Sequence, residues 1–489
     1  MTNHPIDAGV ELTHDPSRVV IRLFLPGEST PGSASRTEAV TERVLAMDDD
    51  QVDEQARRVL SQFGSRDVGL EEVLRTHAEM VRGTDAPEIS DAMTVVLGSV
   101  FTAEYAVEGA ALCNPSVVIH PDQSDVGPNQ LRVLLSLRSI GESHLSSVEF
   151  CEAIIGPGRS WAFSPRKTPL ALPTISDGEW TSEHFLQALE RNGQMNDLVR
   201  AVVQALPDRF ASEDVEQAMR DLPEQLLRRS SSRDELETIR VVARSAYRAV
   251  FSKNTELSQR VLIPVADEER RGVEDVRFVR FTHDDGHCDY RGTFTAYNGH
   301  AITSRLMVTT DFRDFTIHRL TGPPARTKGM ALFPRLVDGA ILALSRGDGE
   351  GIFLTRSDNG LDWSEEEPIY SPSQLWDVVQ SGNCGSPIET DRGWLVMTHG
   401  VGPMRRYSIG AILLDLNDPT RILATSTTPL LEPGGPLLRN GYVPNVVYSC
   451  GGLVHDDMLW LPYGVGDDRI RVASIPVTTL LDLLTSVRA

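Results

Sequence analysis

The chain has 489 residues, 40% of them hydrophobic and 24% charged, and more than one structural unit is expected at this length. Its formal net charge of −22 disfavours nucleic acid and anionic membrane as partners, and an anionic substrate would need a local basic pocket. No window approaches the roughly 18 apolar residues of a membrane span; the start MTNHPIDAGVELTHDP lacks signal-peptide features, and five scattered cysteines without a CxxC pair fit reduced thiols, so a cytoplasmic protein is expected.

An early apolar segment, RVVIRLFLP, reads as a strand, expected to pair with the last β unit of the chain. Residues from about 36 to 110 then read as helical, because SRTEAVTERVLAMDDDQVDEQARRVLSQF and GLEEVLRTHAEMVR repeat apolar residues every three or four positions. Residues 1–109 are accordingly assigned to an N-terminal strand plus helical region. A second helical tract runs through HFLQALERNGQMNDLVRAVVQAL and ELETIRVVARSAYRAVF, and Ser232 with Glu235 reads as a capping box opening its last helix.

The remaining text is short strands in recurring units. Five apolar strands end in small or charged residues: RVLLSLRS from Arg132, GTFTAYNG from Gly292, AILALSRG from Ala340, GWLVMTHG from Gly393 and LWLPYGVG from Leu459. Each is followed by a second strand and preceded by a shorter one near a proline or acidic residue. The last four units start 48, 53 and 66 residues apart, as propeller blades do. A β-sandwich also produces imperfect repeats, but five consecutive units favour an all-β five-bladed β-propeller. The first interval, 160 residues, exceeds one blade by about the length of the second helical tract. The expected division is therefore blade one over 110–175, a helical insertion over 176–260 and blades two to five over 261–489.

The innermost strand of each propeller blade lines a central channel. Here those strands begin with Asn114-Pro115-Ser116, Glu274-Asp275-Val276-Arg277, Leu332-Phe333-Pro334-Arg335, Gly385-Ser386-Pro387 and Pro444-Asn445, so polar groups from separate blades are expected to converge. Cations recur at or near the following strands: Arg138, Arg305, Lys328, Arg346 and His399. In so acidic a chain this set suggests an anion pocket, since Arg and Lys meet phosphate with charge and several donors. Each residue alone has a plainer reading. An Asp in an E-D pair is commonly a turn residue, a single Arg is commonly a surface cation, His399 before glycine suits a strand end, and Tyr297 or Tyr463 suits packing between blades.

The segments GVEDVRF, TAYNGH, SRLMVTTDF, TKGMALFP, MTHGV, VPNVVYSCGG, YGVGDD and the long run from Tyr407 to Pro433 resemble glycoside hydrolase family 130. The resemblance covers about residues 110–175 and 260–489 and implies a five-bladed propeller with β-mannoside phosphorylase or β-1,2-mannosidase activity, inverting at the anomeric carbon. It implies Asp275 as the catalytic acid. It further implies a phosphate pocket of Arg305, Lys328 and His399, with Arg346 and Arg138 as additions, and a sugar site that includes Asn114 and Asp467. Glu274, Arg277, Tyr297 and Asn445 are further expected substrate contacts. Three positions depart from the family pattern: Val276, where proline is common; Arg335, where glutamate is common; and Tyr442, where aspartate is common. The latter two are expected to alter charge in or near the sugar pocket. The leading expectation is a phosphorylase taking a short β-mannoside and inorganic phosphate to α-mannose 1-phosphate. A β-1,2-mannosidase and a non-catalytic carbohydrate-binding propeller are the alternatives. No metal-ligand spacing or Gly-rich nucleotide loop is read, so no cofactor beyond phosphate as co-substrate is expected. The helical additions are expected either to form a homo-oligomer interface or to cover one mouth of the propeller.

Overall fold

The computed structural model describes residues 5–26, 35–64, 69–83, 86–190, 196–227, 231–434 and 441–487. The chain divides into two compact units, one of Asp15–Gly109 with Lys167–Leu170 and one of Met1–His14, Ala110–Arg166 and Ala171–Ala489.

The smaller unit is helical, as its periodicity predicts. Helices Arg36–Leu45, Asp49–Phe63, Leu70–Arg82 and Asp91–Val100 bury Val44, Val52, Leu74, Val96 and Leu97 around Phe101. Ser35 and Glu38 form a capping box on the first helix, and the Ser90 hydroxyl accepts from the Met93 N–H on the fourth. The third and fourth helices approach so closely at Gly98 that a Cβ there would lie 2.0 Å from the Leu74 carbonyl oxygen. Only glycine fits. Strand Val19–Leu23, from the RVVIRLFLP segment, pairs with Thr102–Ala106 inside this unit. That corrects the expected pairing with the last β unit: a local partner lies at the end of the same helical bundle.

The larger unit is mostly β. Strands Ala111–Ile119, Leu131–Ile140 and Ser146–Gly156 form an antiparallel run, and Gly272–Thr282, Cys288–Tyr297, Ile302–Thr309 and Asp314–Arg319 form another. A parallel bridge between Gly272 and Ser146 joins them in one sheet. A second sheet holds Ala331–Leu332, Ile341–Ser345, Ile352–Ser357 and Glu367–Tyr370. In a third, Gln380–Asn383 and Ile388–Thr390 share the partner Gly393–Gly402, followed by Arg406–Leu414, Ile422–Thr425 and Thr485–Ser486. In the fourth, Val447–Tyr448 and Leu453–His455 share Met458–Val465, followed by Arg469–Pro476 and, on its edge, Ile6–Thr13.

The apolar cores lie between successive strand runs. Val148 and Phe150 pack on Val273 and Phe278; Val279 and Leu306 on Leu332 and Ile341; Phe333 and Leu342 on Trp394 and Val396. Leu395 and Met397 pack on Leu459 and Leu461, and Trp460 and Val472 pack back on Leu112 and Leu135. Fully burying each such side chain contributes about 1.5–3 kcal/mol, so these faces hold the sheets against one another.

Helices Ser182–Glu190, Asp197–Ala205, Ser212–Arg220, Glu224–Leu227 and Ser232–Ala243 enclose their own core of Trp180, Phe185, Leu198, Val215 and Ile239. Residues 191–195, within the first predicted helix of this tract, lie outside the described residues. The tract is entered from strand Thr174–Asp177 and left through Tyr247–Val250, and these two strands pair with each other. Its two ends are therefore adjacent, the condition under which an inserted segment leaves its host sheet undisturbed. The expected Ser232 cap is corrected. Ser232 is the first residue inside the helix, buried, and its hydroxyl donates to the Leu226 carbonyl instead.

Candidate active site

Two backbone irregularities create the site. The ladder between Ala111–Ile119 and Leu131–Ile140 slips between Cys113 and Ser116, and the ladder between Gly272–Thr282 and Cys288–Tyr297 slips between Glu274 and Arg277. Asn114 and Asp275 occupy these bulges in left-handed backbone, with φ of +50° and +57°. Asn and Asp tolerate that region better than other non-glycine residues, and bulges re-aim side chains out of a ladder. The two side chains meet: Asn114 Nδ2 donates to Asp275 Oδ1 at 2.6 Å.

A shell of cations surrounds this carboxylate. Arg138 Nη1 donates to Asp275 Oδ1 at 3.1 Å, while its Nη2 reaches Glu274 at 2.8 Å. Lys328 Nζ lies 3.3 Å from the other oxygen of Glu274. Arg277, 2% exposed, donates to the Asp275 carbonyl and to the Tyr448 hydroxyl, each at 2.9 Å. Burial alone would raise the Asp275 pKa. The opposing charges of Arg138, Arg277 and Lys328, with the Asn114 hydrogen bond, outweigh it and hold the carboxyl at about 2. Asp467 shows the opposite balance. Burial pushes it up, the nearby Asp275 charge adds to this against the pull of Arg138, and its pKa reaches about 6.

A second polar wall adjoins. His399, 1% exposed, lies between Tyr448, at a centroid distance of 4.8 Å, and Tyr407, at 6.3 Å. Burial first, then the charges of Arg346 and Arg277, hold it well below the ordinary histidine pKa, so the ring is neutral. Both its nitrogens, with Arg346 Nε and Arg277 Nε, are buried without a hydrogen-bond partner in the protein. Buried polar atoms are ordinarily satisfied, so the free N–H groups of the two arginines, beside a neutral imidazole that offers one N–H and one lone pair, suit a polar ligand. Gly382 makes the room: a Cβ there would lie 2.6 Å from His399 Cε1 and 3.1 Å from Arg346 Cδ.

Asn114, Arg138, Glu274, Asp275, Arg277 and Lys328 thus form one contact network, with His399 and Arg346 beside it and Asp467 within its field. Three predicted residues lie outside this contact network. Arg305 is wholly buried in an ion pair with Glu269, over the Tyr247 ring at 5.4 Å. Its strand neighbour Ser304 is the residue facing Thr327, so Arg305 points from the opposite face. Tyr297 donates to the Gly299 carbonyl, whereas Asn445 adjoins the second wall: its carbonyl accepts from the Tyr407 N–H at 3.0 Å, and it lines a cavity of about 70 Å³ with Gly466 and Arg471. A larger cavity of about 370 Å³, lined by Asp338, Arg356 and Thr420 among others, contains none of the network residues.

The expected effect of Arg335 on the sugar pocket is corrected. It pairs with Glu389 and bridges to Thr282, seven residues along the strand from Asp275, roughly 23 Å at strand rise. Tyr442 is nearer: its hydroxyl lies 2.6 Å from His144 Nδ1, and the adjoining Val443 N–H bonds to Gly466, next to Asp467. Tyr448 and Tyr407 were missed by the sequence reading. Nothing but their place in the quoted VPNVVYSCGG segment and the Tyr407–Pro433 run marked them.

A buried carboxylate held by guanidinium and ammonium groups, with a neutral imidazole nearby, is the candidate site of this chain. The family model for glycoside hydrolase family 130, described as beta-1,4-mannooligosaccharide phosphorylase, matches residues 236–486, and the chain belongs to that family. The 1,2-beta-oligomannan phosphorylase of Thermoanaerobacter sp. (strain X514) is 31% identical over 224 residues, 44% of this chain and 72% of that protein. The beta-1,2-mannobiose phosphorylase of Listeria innocua is 29% identical over 230 residues, 46% of this chain and 63% of that protein. A solved structure of beta-1,2-mannobiose phosphorylase from Listeria innocua, in complex with beta-1,2-mannobiose, is 22% identical, with a TM-score of 0.45 over 78% of this chain and 93% of that one.

Proposed function

We propose that the protein is an inverting β-mannoside phosphorylase, transferring a mannosyl unit from a short β-mannoside to inorganic phosphate. The observation that carries this reading is the wall of unsatisfied donors, His399 and the Nε atoms of Arg346 and Arg277, beside a carboxylate already ringed by cations. Phosphate is an anionic nucleophile and needs no base, so one acid and an electrostatic cradle suffice. A phosphate oxygen attacks the anomeric carbon as the glycosidic C–O bond breaks on the opposite face. The departing oxygen takes a proton that originates at Asp275, leaving α-mannose 1-phosphate and the shortened acceptor.

The electrostatics supply a sequence for these events. In the free protein Asp275 is a carboxylate, with its pKa at about 2. Bound phosphate competes for Arg138, Arg277 and Lys328, and bound sugar excludes water; both changes raise the pKa of Asp275 and favour proton uptake before transfer. Asn114 positions the acid, Glu274 fixes Arg138 and Lys328, and Asp467 lies on the sugar side. Tyr442 and His144 form an exposed rim suited to an acceptor sugar. Phosphate is the co-substrate, and the reaction asks for no cofactor besides it.

The strand runs are read as five blades of a propeller. In support, each run shares an apolar core with the next and the last shares one with the first. A cytoplasmic location agrees with five free cysteines, and among the described residues no helix is long and apolar enough to cross a membrane.

Incubation with β-1,2-mannobiose, with and without phosphate, tests the activity. Mannose 1-phosphate formed only with phosphate is expected. Equal free mannose in both tubes overturns the reading in favour of a hydrolase, in which Asp467 would be the second carboxylate that inversion by water requires.

A further inference from the structure

The hairpin joining strands Gly272–Thr282 and Cys288–Tyr297 has the sequence His283-Asp-Asp-Gly-His287-Cys-Asp289 at its tip. The register pairs Thr282 with Cys288 and Phe281 with Asp289, so Phe281, His283, His287 and Asp289 share one face. On that face the two imidazoles stack, centroids 3.8 Å apart and 13° from parallel. His283 Nε2 lies 2.9 Å from Asp289 Oδ2, and the ligand atoms of His283, His287 and Asp289 all fall within 4.8 Å of one another.

We propose that His283, His287 and Asp289 bind a divalent transition-metal ion, zinc being the best match to two imidazoles and a carboxylate. Two ligands that each bind zinc at ~2.0–2.2 Å stand about 3 Å apart, close to the observed His283–Asp289 separation. The Asp285 carboxylate bonds His287 Nδ1, which leaves Nε2 as the nitrogen with a lone pair. A carboxylate behind a histidine in this way is the usual outer support of a metal ligand.

Arg291 explains how the cluster stays neutralised without an ion. Its Nε bonds Asp289 Oδ1 at 3.0 Å, its Nη2 reaches Oδ2 and His283 Nε2 at 3.2 Å each, and its guanidinium lies 4.0 Å over the Phe281 ring. An incoming ion displaces only Nη2. Oδ1 stays with Arg291 and Oδ2 passes to the metal, while the Asp285 carboxylate keeps its hold on His287 Nδ1. Water completes the coordination. The site lies eight residues from Asp275 along the strand, roughly 25 Å, so its role is to tie the hairpin tip rather than to take part in the reaction. Sequence reading passed over this spacing because the two histidines flank a turn, where three intervening residues do not by themselves announce a shared face.

The test is zinc content of the full-length protein after equilibration with zinc and removal of the excess, with cobalt absorption as an optical readout. One ion per chain is expected, with a rise in melting midpoint on zinc addition. His287→Ala, at an exposed position, should lose both effects; Asp285→Asn should weaken binding by roughly 10–100-fold; Cys288→Ser, on the opposite face, should keep it. Absence of stoichiometric binding in the native protein, retention in His287→Ala, or loss in Cys288→Ser would each overturn the proposal.

Discussion

Asn114 and Asp275 sit at corresponding slips of two separate strand ladders, both in left-handed backbone, and their side chains join at 2.6 Å. A strained conformation costs on the order of 1–3 kcal/mol and persists where the surroundings over-determine it. Here the hydrogen bond between the bulges and the Arg138 ion pair hold both. Asp275→Asn is expected to lower kcat by roughly 10²–10⁴-fold while calorimetry still detects mannoside binding. Asn114→Ala removes a donor that favours the Asp275 carboxylate, so the alkaline limb of the pH profile for kcat/KM, where the acid loses its proton, should move upward. An unmoved limb would separate Asn114 from the acid.

Lys328→Met should raise the KM for phosphate by about tenfold, the loss of one charge-assisted contact, with little change in the KM for mannoside. The reverse pattern would assign Lys328 to the sugar.

At Gly382 the space is already committed. Gly382→Ala pushes a methyl group against His399 and Arg346, so phosphate affinity should fall while circular dichroism and mannoside binding stay near native values. A variant with native phosphate kinetics would show that the gap has no part in binding.

Arg305 offers a contrast, because its partner Glu269 also accepts from the Tyr247 hydroxyl and from the N–H groups of Val265 and Ala266. Arg305→Met leaves that carboxylate buried without its cation, a loss of roughly 3–5 kcal/mol. Denaturant melts should register it. A native melt with a raised phosphate KM would return Arg305 to the phosphate site.

Asp275 and Asp467 give opposite pH dependences of stability. The lowered pKa of Asp275 contributes stability that is complete above about pH 4 and is lost as pH falls towards 2. The raised pKa of Asp467 works the other way: the folded state holds its proton more tightly, so stability falls as pH rises from about 4 through 6. Asp467→Asn should therefore melt higher than the native protein at pH 7.5, by about 1–2 kcal/mol of stability, and nearly alike at pH 4. Equal melting at both values would remove Asp467 from the buried field.

The strand runs and both helical tracts were legible because alternation and helical spacing are properties of local sequence. The chemistry at Asp275 was legible only through its motif. Nothing in the text Glu-Asp-Val-Arg announces a bulge, and nothing in Asn-Pro-Ser says that a neighbouring strand slips at the matching place. Arg305 shows the converse limit. Alternation tells that Ser304 and Arg305 face opposite ways, but which face meets Glu269 and Tyr247 depends on a segment more than thirty residues upstream. The first strand, Ile6–Thr13, carries only a short apolar stripe, Ala8, Val10 and Leu12, which packs on the core of Leu112 and Trp460 while its other residues are exposed, so little in its text marks it.

That strand has a consequence for synthesis. Ile6 lies opposite Ser474, so the edge of the last sheet is completed by residues made 468 positions earlier. At ordinary translation speeds roughly 25–90 s separate the two. Throughout that interval the early segment must stay unpaired, and afterwards its docking covers the open edge of Arg469–Pro476. A chain lacking Ile6–Thr13 leaves the Arg469–Pro476 edge uncapped, a ladder available to a neighbouring copy.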